Sequence, residues 1–113
     1  MGIKEIYEKV NLKMPLEQRR FFNYFNDTIA ELEAKYRQLL FEKDKHFTPM
    51  RSLSDTYIVR PLYGAAIVDN ILFLAGYDTE GTLKTEFLRK AEEAYLNYWN
   101  DGAHHKHTKR EGF

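Results

Sequence analysis

The 113-residue sequence contains no cysteine. This absence excludes disulfides, thiolate metal sites and cysteine nucleophiles, and it fits a reducing compartment or a fold that needs no covalent cross-links. The sequence also has no net charge at neutral pH, because 17 basic residues balance 17 acidic ones. The whole molecule therefore provides no electrostatic steering toward nucleic acid or anionic lipid, and any electrostatic function must be local.

Long hydrophobic runs and common enzyme motifs are missing as well. The opening segment MGIKEIYEKV has no apolar signal-peptide core, and Asp69 and Asn70 interrupt the longest apolar stretch, residues 61–76. We therefore expect neither secretion nor a membrane span. The patterns GxSxG, GxxxxGK[ST] and GxGxxG are absent, so we expect no enzymatic activity and no cofactor.

Apolar periodicity predicts one mainly α-helical domain, a small bundle of about four helices over residues 1–102, followed by a flexible polar and basic tail over residues 103–113. The first helix is short and ends before Pro15, which suits the first turn of a second helix reaching about Lys43. Residues 44–56 lose the period and are predicted to form a loop. Spacings of three and four define the two apolar faces: Ile3, Ile6, Tyr7 and Val10, then Phe22, Phe25, Ile29, Leu32, Tyr36 and Leu39.

The second half of the domain is predicted to begin with a short extended segment, Thr56 to Val59. A third helix follows from Pro61 to Ala75, with Gly76 just beyond its C-terminal cap. This helix is apolar on most faces, so we expect it at the centre of the bundle, with Gly64 allowing close helix packing. A fourth helix is predicted from about Leu83 to Trp99, and its apolar face consists of Phe87, Ala91, Ala94, Tyr95 and Tyr98.

Three histidines lie close together in the tail, at His104, His105 and His107. Zinc needs three or four ligands held by rigid elements, and the remaining histidine, His46, is distant in the sequence. We therefore expect no functional metal site, and a solvated or partner-facing tail instead.

Basic residues in the same tail raise the possibility of nucleic-acid binding. Lys106, Lys109 and Arg110 supply three positive charges against one negative charge from Glu111. So few phosphate contacts would give only weak, salt-sensitive binding, and no recognition helix of the helix-turn-helix type is present. Sequence-specific DNA binding is not expected, but a small helical regulatory or DNA-associated protein remains an alternative.

Asp69 and Asn70 are the polar residues of the third helix that a search for catalytic groups would select. Proton transfer needs a second titratable group nearby, and this helix has no histidine or second carboxylate on the face of Asp69. Such residues more often mark a solvent-facing edge or an interhelical hydrogen bond.

Aromatic residues are abundant, with eight Phe, eight Tyr and one Trp. Most are expected in the core, but rings at the end of the last helix are suited to anchoring a protein partner. The sequence therefore favours assembly with other proteins. The candidate docking residues are Tyr98, Trp99, His104, His105, Lys106, His107, Lys109, Arg110 and Phe113.

The order of predicted elements, over about residues 5–100, resembles the head-tail connector (adaptor, or head-completion) proteins of tailed bacteriophages and prophages. The most telling part is Asp55 to Gly76, where an extended segment reaches a proline and then an apolar helix with small residues. The Asp78 turn and the following helix continue the pattern. The segments that carry the resemblance are LEQRRFFNYFNDTIAELEAKY, SLSDTYIVRPL, YGAAIVDNILFLAG and KTEFLRKAEEAYLNYW.

This resemblance implies a structural protein of the virion neck that is made and assembled in the host cytoplasm. It would form a homo-oligomeric ring, a dodecamer, on the portal protein, bind a tail or stopper protein, and surround the channel through which genomic DNA passes without sequence-specific binding. It implies no catalytic residues. The tail, residues 103–113, would dock on a ring neighbour or on the portal. A helical adaptor of cellular origin, whose aromatic residues bind a single partner, is a further alternative.

Overall fold

A computed structural model describes residues 1–36, 52–53 and 59–100, with the backbone alone at residues 62 and 98–100. Within these residues the chain forms four helices, α1 (Ile3–Lys13), α2 (Gln18–Tyr36), α3 (Pro61–Leu74) and α4 (Thr82–Asn100). The prediction of a small, mainly helical bundle is therefore confirmed. The expected tail of residues 103–113, the end of the second helix beyond residue 36 and most of the expected loop lie outside the described residues.

The apolar helix α3 lies at the centre of the bundle, as predicted, and packs against each of the other three helices. Its most extensive contact is with α4, where Ala91 and Ala94 are buried and let the two helix backbones approach closely. Residue pairs fix its direction relative to α2: Asn70 bonds to Thr28, while Tyr63 packs on Tyr36. The two helices are therefore antiparallel.

The predicted apolar faces form one continuous core. Ile3, Ile6 and Val10 of α1 are buried, and so are the expected positions of α2 from Phe22 to Tyr36. Complete burial of one Leu, Ile or Phe side chain stabilises a fold by about 1.5–3 kcal/mol. The largest fully buried side chains are Tyr63, Phe21, Phe25, Phe87, Ile3, Ile6, Ile29, Ile67 and Ile71.

The connection between α1 and α2 differs from the prediction, because α2 begins at Gln18 and Pro15 does not lie in its first turn. Side chains of α1 hold this connection instead. The Leu16 N–H donates to Asn11 Oδ1 (2.8 Å), and the Tyr7 hydroxyl donates to the Leu16 carbonyl (2.9 Å). These two bonds keep the backbone at Leu16 out of a helix, so α2 starts only after them.

The end of α3 agrees with the prediction. Ala75 caps the helix, and Gly76 follows with a φ of +88°, which strains any residue with a Cβ. The Tyr77 N–H donates to the Leu72 carbonyl and the Gly76 N–H to the Phe73 carbonyl, both at 3.0 Å. This pair of bonds is the Schellman motif, and it satisfies carbonyls that the helix end leaves free.

Val59 is the one residue of the predicted extended segment that the structure describes. Its N–H donates to the Met1 carbonyl (2.9 Å), and its carbonyl accepts from the Met1 nitrogen (2.7 Å). Met1 also explains Gly64, since a Cβ built at Gly64 would lie 2.5 Å from the Met1 sulfur. Gly64 thus makes room for this side chain, whereas the sequence suggested a close contact between helices.

Candidate functional site

Three tyrosines meet at the end of the bundle where α2 ends, α3 begins and the last turns of α4 pass. The Tyr36 ring lies 4.9 Å from that of Tyr95 and 5.7 Å from that of Tyr63, measured between ring centroids. We call this group, Tyr36, Tyr63 and Tyr95, the tyrosine cluster. It joins three helices and supports the part of α4 from which the candidate docking residues extend.

Charged side chains border the tyrosine cluster. The Tyr36 hydroxyl donates to Glu92 Oε1 (2.9 Å), and Lys35 Nζ lies 3.4 Å from the same oxygen. Burial, followed by the bond to Glu92, raises the pKa of Tyr36. The Tyr36 hydroxyl, followed by Glu92, raises the pKa of Lys35. At neutral pH the rim therefore presents a neutral phenol and an ammonium beside Glu92.

Tyr63 is the most buried member of the tyrosine cluster. Its side chain is 1% exposed, and its hydroxyl makes no hydrogen bond within the described part of the chain. Burial, followed by the proximity of Tyr36 and Tyr95, raises the pKa of Tyr63. The hydroxyl stays protonated at neutral pH, so Tyr63 contributes packing and a neutral dipole to this end of the bundle.

The candidate docking residues fall at and beyond this end. Tyr98 and Trp99 lie on the last turn of α4, one turn past Tyr95, and their side chains are not described. The other seven lie outside the described residues: His104, His105, Lys106, His107, Lys109, Arg110 and Phe113. The structure thus places the base of the predicted docking region next to the tyrosine cluster.

Asp69 and Asn70, the polar residues of α3, both make contacts between helices. Asp69 is only 8% exposed, and its Oδ2 lies 2.7 Å from Nζ of Lys90 on α4. Asn70 is fully buried and donates to Thr28 Oγ1 on α2 (2.8 Å). Of the two alternatives left by the sequence, a solvent-facing edge or an interhelical bond, the structure shows the second for both residues.

Lys84 extends the polar contacts of Asn70 to the surface. Its Nζ lies 3.2 Å from Asn70 Oδ1 and 2.9 Å from both carboxylate oxygens of Glu31. The same Nζ lies 4.7 Å from the centroid of the Phe87 ring, within the range of a cation–π contact. This network joins α2, α3 and α4 and fixes their register.

Large apolar side chains remain exposed on α1 and α4. Leu88 and Leu96 are 52% and 51% exposed on α4, and Leu12 is 87% exposed on the last turn of α1. Sequence reasoning missed them because it followed only the core-facing positions of each helix. The signal was available, since Leu88, Glu92 and Leu96 follow each other at intervals of four on one face of α4.

Comparisons with known proteins give no identification: the chain matches no protein-family model, no curated protein and no solved structure. Among the described residues, no group of three histidine, cysteine or carboxylate side chains could hold a metal ion. None of the helices in the described ranges is long and apolar enough to cross a membrane. The four histidines all lie outside those ranges.

Proposed function

We propose that this chain is a structural protein of a phage or prophage neck, which assembles as a ring on the portal and connects capsid and tail around the DNA channel. The observation that carries the proposal is the position of the last turns of α4. They rest on the tyrosine cluster and lead directly into the aromatic and basic candidate docking residues. A rigid bundle with a docking segment at one end suits a connector.

The order of elements also supports this proposal. A short helix and a long helix are followed by Val59 in a backbone pair, Pro61 at the start of an apolar helix, and a last helix with small core residues. This is the order on which the resemblance to connector proteins rests. The portal would be one partner and a tail or stopper protein the other.

Docking through residues 103–113 has an entropic cost that the contacts must exceed. Each residue whose backbone loses its freedom costs about 1–2 kcal/mol. Phe113 and Trp99 would offset part of this cost by burying apolar area on the partner, at about 25 cal/mol per Å². The basic residues of the tail would add a contribution that salt weakens.

The test compares the full-length chain with a chain ending at residue 102. Each is mixed with portal rings from the same genome, or with virus-like particles that lack the connector, and bound subunits are counted by sedimentation and electron microscopy. We expect the shortened chain to fold, because it retains every buried core residue of the described part of the chain, and to bind much more weakly. Equal occupancy by the two chains would contradict the docking role.

A matched control separates the effect of the tail's residue order from the effect of its charge. A chain in which residues 103–113 are present in scrambled order keeps the composition and charge of the tail. We expect it to bind portal as weakly as the shortened chain. Equal binding by the scrambled and natural tails would show that charge alone is sufficient. Binding to duplex DNA without any protein partner, lost on truncation, would instead favour the DNA-associated alternative.

A further inference from the structure

We draw no further inference here: the strongest candidate, the half-exposed apolar surface patch that Leu88 and Leu96 form on α4, carries no proposal, because nothing in the described part of the chain shows what covers it.

Discussion

The Asn70 amide on α3 donates a 2.8 Å hydrogen bond to the Thr28 hydroxyl on α2, and both residues are completely buried. Thr28 in turn donates to the Tyr24 carbonyl (2.8 Å), so its single hydroxyl both donates and accepts. The bond crosses 42 residues of sequence and lies at the centre of the bundle. It ties the register of α2 to that of α3.

We expect Thr28→Val to lower the free energy of unfolding by about 1–3 kcal/mol, because it leaves the Asn70 amide buried without this partner. Asn70→Leu should cost a similar amount. The double variant should lose less than the sum of the two single losses, since both polar groups are then gone. Urea unfolding of the four chains measures this coupling. Strictly additive losses would show that the bond contributes no pairwise energy.

Ile29→Ala and Leu72→Ala should each lower the free energy of unfolding by about 2–5 kcal/mol, because each truncates a fully buried aliphatic side chain and leaves a cavity. Leu12→Ala removes the same atoms as Leu72→Ala from an exposed site. It should change the stability of dilute protein by less than about 0.5 kcal/mol. Thermal melts of the three variants would contradict the assigned core if they coincided.

Lys90→Met should destabilise the bundle by about 1–3 kcal/mol, between the values for exposed and fully buried ion pairs. It retains the apolar stem but leaves the carboxylate of Asp69, whose side chain is 12% exposed, without this ion-pair partner. Lys35→Met removes a cation that is 67% exposed and should have a smaller effect. Chemical denaturation tests the order of the two losses, and adding Asp69→Asn to Lys90→Met should recover part of the larger one.

Asp78 should make stability depend on pH. Its carboxylate accepts from the Leu83 N–H (2.7 Å) and the Glu80 N–H (3.0 Å), and these bonds lower the pKa of Asp78 below its ordinary value of 3.8. A lowered pKa in the folded state gives stability that is present above the unfolded value and is lost as pH falls through the folded one.

Asp78→Asn should therefore reduce the melting temperature at pH 7, because one amide oxygen cannot replace two carboxylate oxygens. The difference from the natural chain should shrink once the pH falls below about 4, the unfolded value for aspartate, and should close at more acid pH. Asp27→Asn, at an exposed position of α2, removes the same charge and is the matched control. If the melting temperatures of Asp78→Asn and the natural chain differed by the same amount from pH 7 to pH 2, the bonds of the ionised Asp78 carboxylate would be excluded as the cause.

The periodicity of the sequence predicted those features of the fold that depend on residues within a single helix. The face from Phe22 to Tyr36, the limits of α3 and the cap at Gly76 follow from spacing and residue type within one helix. Pro15 was assigned wrongly because the bonds from Tyr7 and Asn11 decide where α2 begins. Those bonds require the folded arrangement of α1.

The contacts of the candidate site depended more on tertiary structure. The sequence left Asn70 as a solvent-facing or an interhelical polar residue. Its partners Thr28 and Lys84 come from two different helices, and no spacing rule selects them. The tyrosine cluster likewise combines residues from α2, α3 and α4. The predicted docking residues of the tail, from His104 to Phe113, remain a prediction.

Met1 pairs through its backbone with Val59, and the length of chain between them bears on the order in which the helices can assemble. That contact spans 58 residues, whereas residues 75–81 alone connect α3 to α4. Closing the longer loop costs more chain entropy, so α3 and α4 can pair before α1 docks. If native-state opening follows the reverse order, the amide protons of α1 should exchange with solvent before those of α3. We therefore expect α1 to dock after α3 and α4 have paired, and to open before they separate.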